Sequence, residues 1–195
     1  MDILIGICIG VSLSAACGFR VFVPPLVMSI MALSGHLTLS PGFEWIGSYE
    51  ALTAFAIATA IEVLGYSIPL VDHALDLLTT PIAIATGTAI TASFFSHGDP
   101  LVQWSVAIIA GGGSAGIVQS LMNITRFIST GTTGGIGNPL LAAIELVTAI
   151  FLSILGIGLP IFTVVLLAVV GVFGGVKLWQ IWEKRKGYQP KPGEL

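Results

Sequence analysis

The run ILIGICIGVSLSAACGFRVFVPPLVMSIMALSG, residues 3–35, carries a single formal charge, Arg20, set between Gly18-Phe19 and Val21-Phe22-Val23-Pro24-Pro25. A helix that crosses the ~30 Å hydrocarbon core of a bilayer needs about 20 residues, so this stretch exceeds one crossing and falls short of two comfortable ones. Proline lacks a backbone donor and collides with the preceding turn, so Pro24-Pro25 interrupts whatever helix enters from Ile3. The sequence therefore predicts a broken first segment, either one bent helix or two short limbs. Carbonyls freed at the break are available to the Arg20 guanidinium.

The rest of the chain has the same character. Mean hydropathy is +1.00, 55% of residues are hydrophobic and 9% are charged, whereas an average soluble domain is about 25% charged. This is the composition of an all-α integral membrane protein. Further apolar blocks fall at 50–66, 81–96, 101–122, 138–155 and 159–182. At about 20 residues per crossing, the chain holds roughly six transmembrane helices and no separate soluble domain.

Charge is distributed unevenly along it. Five of the seven basic residues (Lys177, Lys184, Arg185, Lys186 and Lys191) fall in the last nineteen positions. Cytoplasmic flanks collect Lys and Arg, so the tail 183–195 is predicted in the cytoplasm and the protein in a bacterial inner membrane. The first 176 residues carry two arginines against eight acids, which leaves no basic surface for nucleic acid. Cys8 and Cys17 lie on opposite helix faces, about 13 Å apart along the axis, and cannot bridge. The N-terminus lacks a basic leader region and reads as a retained span rather than a signal peptide.

Thr80-Pro81, Asp99-Pro100 and Asn138-Pro139 each place a capping residue before a proline, predicting helix starts there. Val71 to Leu78 is too short to span and is expected as an interfacial or re-entrant turn. Counting 3–35 as one crossing gives six spans with both termini inside; counting it as two gives seven and moves the N-terminus outside. Each half of the chain runs arginine, glutamate, proline: Arg20, Glu62 and Pro81, then Arg126, Glu145 and Pro160. This predicts two membrane repeats, 1–96 and 97–182, and an odd number of spans per copy makes them an inverted 3+3 pair. The Arg-to-Glu separations, 42 and 19 residues, make the alignment loose.

The four charges are the candidate site for an ion or small polar solute. Glu145 lies about seven residues into an otherwise uncharged helix, where a lone acid costs roughly 2.5 to 3.5 kcal/mol, so it must face the bundle. Glu62 sits nearer a helix end, within reach of the interface, and Arg126 falls just past the end of its span, where an interfacial anchor is the plainer reading. A structural Arg/Glu clamp stands as the alternative to ion coupling. The stretch Ser129-Thr130-Gly131-Thr132-Thr133-Gly134-Gly135-Ile136-Gly137-Asn138-Pro139 reads as a loop ending at a helix N-terminus suited to an anion or carbonyl. That adds Thr133, Gly135 and Asn138 as candidate solute ligands, or else the loop is a plain connector. Asp72, His73 and Asp76 offer one corner of a divalent-cation site that nothing else completes; the polar face of an amphipathic turn is the other reading. Gly112/Gly116 and Gly171/Gly175 have the spacing that lets membrane helices approach closely. No nucleophile elbow, zinc-protease motif or cofactor-attachment motif is present, so neither an enzyme nor a cofactor is expected.

Gly18 through Pro25, Glu62 through Tyr66, Ile68-Pro69, Val71-Asp72, Leu75-Asp76, Thr80-Pro81, Thr125-Arg126, Ser129-Thr130, Gly134 through Pro139 and Glu145 form a set that spans nearly the whole chain. It resembles a bacterial family of small polytopic membrane proteins known only as a domain of unknown function (DUF4126-like). The resemblance implies the membrane fold and no particular activity. The family pattern has asparagine where this chain has His73, and a serine where it has Ala142 and Ala143. The reading that follows is a transporter or channel for an ion or small polar solute. A non-transporting subunit or scaffold that binds a larger complex, lipid or pigment is the alternative, and the expected partners are the lipid bilayer and either self-association or a membrane complex.

Overall fold

The first apolar stretch is two helices, α1 (Ile3–Cys17) and α2 (Val23–Leu33). At the end of α1 the backbone tightens, Gly18 N–H donating to Ala15 O at 3.1 Å and Phe19 N–H to Ala16 O at 3.0 Å. Val23, Pro24 and Pro25 then form the first turn of α2, where a proline's missing donor has no intrahelical partner to lose. Leu26 N–H donates back to Phe22 O at 3.1 Å.

The computed structural model describes residues 3–66, 69–95 and 99–187, apart from the side chains of residues 69–77, 178, 181, 182 and 184–187. Among the described residues the remaining helices are α3 (Tyr49–Gly65), α4 (Pro69–Ala92), α5 (Pro100–Thr133), α6 (Asn138–Gly158) and α7 (Pro160–Gly187). A short 3₁₀ turn, Glu44–Gly47, precedes α3. Helix α5 runs for 34 residues and loosens into π geometry over Ala107–Gly112. By length and composition, α5, α6 and the Pro160–Lys177 portion of α7 can each cross a membrane, while Ile3–Cys17, Val23–Leu33 and Leu78–Ala92 are shorter apolar helices. The expected all-helical membrane fold and the broken first segment are both present.

The break makes a hairpin. One pocket is lined by Ile5 and Ile9 of α1, by His36, Leu37 and Thr38 just after α2, and by Ile157, Gly158 and Pro160 at the α6–α7 junction. At the same end Ser40 N–H donates to Ser93 O at 2.8 Å, and Gly6 packs against Phe94. The start of α1 and the end of α2 therefore share one end of the bundle, and residues 3–35 do not make a single crossing. At 1.5 Å per residue α1 and α2 are about 22 and 16 Å long, short of the ~30 Å core. A hairpin entering from one face thus carries its tip, residues 18–22, inside the apolar layer.

Helix α1 is the axis of the bundle, and its small residues explain why. Gly6, Gly10, Ser14 and Gly18 recur every fourth position and face other helices closely. A Cβ on Gly10 would lie 2.9 Å from Thr91 Cα, and one on Gly18 would lie 2.7 Å from Ala115 O. Ser14 Oγ donates to Gly87 O at 2.6 Å and lies 2.9 Å from Thr91 Oγ1. Within lipid there is little hydrophobic drive between helices, so close backbone approach of this kind supplies much of the cohesion. Gly10 and Gly111 both meet Thr91, Ser14 and Ala115 both meet Gly87, and Gly18 meets Ala115 and Val118. Helices α1 and α5 consequently run in the same direction and α4 opposite to both, so any duplication in the sequence is not expressed as an inversion of α1 and α5.

Several boundaries differ from those expected. Pro81 lies inside α4, and Val71 to Leu78 belongs to the first half of that helix rather than to a separate turn. Asp99 caps α5 as expected, accepting from Leu101 N–H at 2.9 Å. Asn138 does not cap α6; it is the first helical residue and Gly137 stands at the cap. Most of the expected loop at 129–139 is helical, because α5 continues to Thr133 and only Gly134–Gly137 turn the chain, with Gly134 and Gly135 at φ +63° and +89°. Gly112 and Gly116 pack on Ile84, whereas a Cβ on Gly171 or Gly175 meets nothing within 4 Å.

Candidate functional site

The break between α1 and α2 leaves the amides of Val21 and Phe22, ahead of the first turn of α2, without helical acceptors. Glu62, near the end of α3, supplies both: Val21 N–H donates to Oε1 at 2.8 Å and Phe22 N–H to Oε2 at 3.1 Å. A carboxylate at a helix N-terminus is favoured by the peptide dipoles as well as by the hydrogen bonds. Glu62 is therefore buried, 4% exposed, rather than reaching the interface. Its partner is the backbone of the break.

Arg126 is also buried, so the interfacial-anchor reading does not hold. Its Nε donates to Glu145 Oε1 at 3.0 Å and its Nη2 to Glu145 Oε2, a two-bond pair that joins the end of α5 to α6. Arg20, 1% exposed at the hairpin tip, sends Nη2 to the carbonyl of Ala142 at 2.9 Å and lies 3.7 Å from Glu145 Oε2. Its Nε and Nη1 are buried with no hydrogen-bond partner. The halves thus share the site: Glu145, from the second, serves both arginines, and Glu62, from the first, serves the break.

Tyr66 binds the cluster together. It follows α3 one turn after Glu62, and the Arg20 and Arg126 guanidinium carbons lie 4.2 and 3.9 Å from its ring centroid. Cation–π attraction of this kind strengthens when desolvated and brings two like charges onto one ring, with Glu62 and Glu145 among the described carboxylates beside them. A polar ladder between α4 and α5 continues from it. Tyr66 Oη lies 3.5 Å from Thr79 Oγ1, Gln119 Nε2 donates to Thr79 Oγ1 and to Asn123 Oδ1 at 3.1 Å each, and Asn123 Nδ2 donates to Thr80 Oγ1 at 3.0 Å.

The Gly/Thr turn stands apart. Counting seven residues from Arg126 to Thr133 and seven from Asn138 to Glu145, it lies about 10 Å along the helices from the charges. Thr133 Oγ1 donates to Ser129 O at 2.8 Å and accepts from Gly137 N–H at 3.1 Å. Asn138 Nδ2 donates to Thr130 Oγ1 at 3.0 Å, and Gly135 supplies a left-handed residue. These groups close the turn and are not brought to the cluster. The side chains of Asp72, His73 and Asp76 lie outside the described residues, and among the described residues no three His, Cys, Asp or Glu gather as metal ligands.

Tyr66, the Ala142 carbonyl and the Gln119–Asn123 ladder were not singled out as site groups from the sequence. Two signals point to them in retrospect. Glu62 and Tyr66 are four apart, hence on one helix face, and Gln119, Asn123 and Arg126 follow the i, i+4, i+7 spacing of a single polar stripe.

No curated protein and no solved structure matches the chain. The family model described as a domain of unknown function (DUF4126) matches residues 7–180, which takes in the hairpin, both arginines, both glutamates and Tyr66. The chain belongs to that family of unknown function.

Proposed function

We propose that the protein is a small inner-membrane transporter or channel for an ion or small polar solute, with a cytoplasmic C-terminus and no enzymatic activity. The observation that carries this is the buried Arg20–Glu62–Arg126–Glu145 cluster at the tip of a helical hairpin, with two guanidinium nitrogens of Arg20, Nε and Nη1, lacking an acceptor. Ionisable side chains inside a membrane are costly and characteristically mark ion or solute pathways. Discontinuous helices place backbone polar groups at the same depth, which is how many small transporters build a binding site. Glu145 holds both arginines, so it is the group whose charge the site depends on. Purified Glu145→Gln in liposomes is expected to insert and fold but to lose solute flux to background. Undiminished flux in that variant rules out the carboxylate role.

A second reading is favoured by α7, which leaves Val169, Val172, Phe173, Val176 and Trp179 exposed and Gly171 and Gly175 without neighbours. Lipid covers such a face in a monomer. A non-transporting subunit would instead use it for self-association or a membrane complex, and native mass measurement after gentle detergent extraction would find a stoichiometric partner.

A further inference from the structure

The two carboxylates of the cluster are not placed to bind a cation. Glu62 has one oxygen on each of two consecutive amides, and Glu145 has both oxygens on Arg126. A cation entering here would have to strip donors from oxygens already engaged. The donors are in surplus instead: Arg20 Nε and Nη1 are buried, unpartnered and adjacent in sequence to the Val21 and Phe22 amides. Among the described residues Arg20 also lacks a carboxylate within hydrogen-bonding distance, its nearest contact to Glu145 being 3.7 Å. An unsatisfied guanidinium N–H in an apolar layer is expensive, so the site favours an acceptor that carries negative charge.

We propose that Glu62 is a tethered stand-in for the transported solute: the Val21–Phe22 amides with Arg20 form a site for small planar monovalent anions of the carboxylate type, and Glu62 vacates the amides when such an anion enters. This rests on the reading that the cluster binds solute, and it names the class. Two adjacent N–H groups at the start of an eleven-residue helix, each holding one oxygen of the same carboxylate, are the arrangement a free carboxylate would use. The displaced side chain has somewhere to go. Thr59, three residues earlier and on the same side of α3, has a buried hydroxyl with no partner. The exchange breaks and forms hydrogen bonds only.

The test uses full-length protein in liposomes with formate, potassium and glycerol as separate cargoes. Wild-type protein is expected to carry formate. In Glu62→Ala the half-saturating formate concentration is expected to fall about tenfold, since a tethered group competes at an effective concentration in the millimolar range or above. Glu62→Gln keeps an oxygen for Val21 and Phe22 but no charge; it is expected to shift the same way by a smaller factor, and it carries the test if the alanine variant aggregates. An unchanged half-saturation in a folded variant overturns the occluding role of Glu62. Potassium carried in place of formate overturns the anion class and leaves the transport reading standing. No movement of any of the three by wild-type protein overturns both.

Discussion

Arg126 and Glu145 share two hydrogen bonds, and the consequence of breaking the pair separates two kinds of role. Arg126→Ala leaves Glu145 buried with Arg20 at 3.7 Å as its nearest cation. Removing one partner of a buried pair costs about 3–5 kcal/mol, whereas replacing both by apolar groups of similar volume is often neutral. Denaturation in detergent is therefore expected to show Arg126→Ala strongly destabilised and Arg126→Met with Glu145→Leu less so, the double variant still leaving buried Arg20 without the Glu145 carboxylate 3.7 Å away. The double variant should still lack flux, which distinguishes a working charge from a clamp. At this scale the sequence was informative about which charged residues gather. Arg20, Glu62 and Glu145 stand out because charge in a hydrocarbon background is rare. It was less informative about partners: Glu62 binds backbone amides that only the break exposes, and Arg126 is reached by a helix that continues past the point where hydropathy falls.

Helices here pack by backbone approach, so glycines are not equivalent. Gly18 sits 2.7 Å, measured from an added Cβ, from the Ala115 carbonyl, and Gly175 has open space. Gly18→Ala is expected to cost about 1–3 kcal/mol by overpacking the α1–α5 contact. Gly175→Ala should be neutral or gain up to about 1 kcal/mol from helix propensity. Thermal unfolding of the two variants checks both signs. Both glycines lie beside other small residues, Cys17 and Gly174, and only their neighbours in space tell them apart. Prolines were similarly ambiguous: Pro100 begins a helix behind the Asp99 cap, while Pro81 lies within one, because in a membrane bundle adjacent helices can re-satisfy a freed carbonyl.

For the whole molecule the hairpin sets the topology. Residues 3–35 return to their starting end, and among the described residues five helices follow, α3 to α7. Reporter fusions at the two termini are accordingly expected on opposite sides of the membrane, the basic tail at 183–195 inside and the N-terminus outside. Finding both reporters on one side would mean that the hairpin or one later helix does not cross as read. The sequence alone was enough to determine that the chain is an all-helical membrane protein, that its first segment breaks ahead of Pro24-Pro25, and that Glu145 faces the bundle. Those properties follow from local chemistry: the cost of charge in hydrocarbon and the missing proline donor. The direction of α2 after the break, the sharing of Glu145 by two arginines, the capping of Val21 and Phe22 by Glu62 and the stacking on Tyr66 were decided by tertiary structure. Each joins residues distant in the chain, and which donor meets which acceptor depends on how close small-residue faces let the helices come.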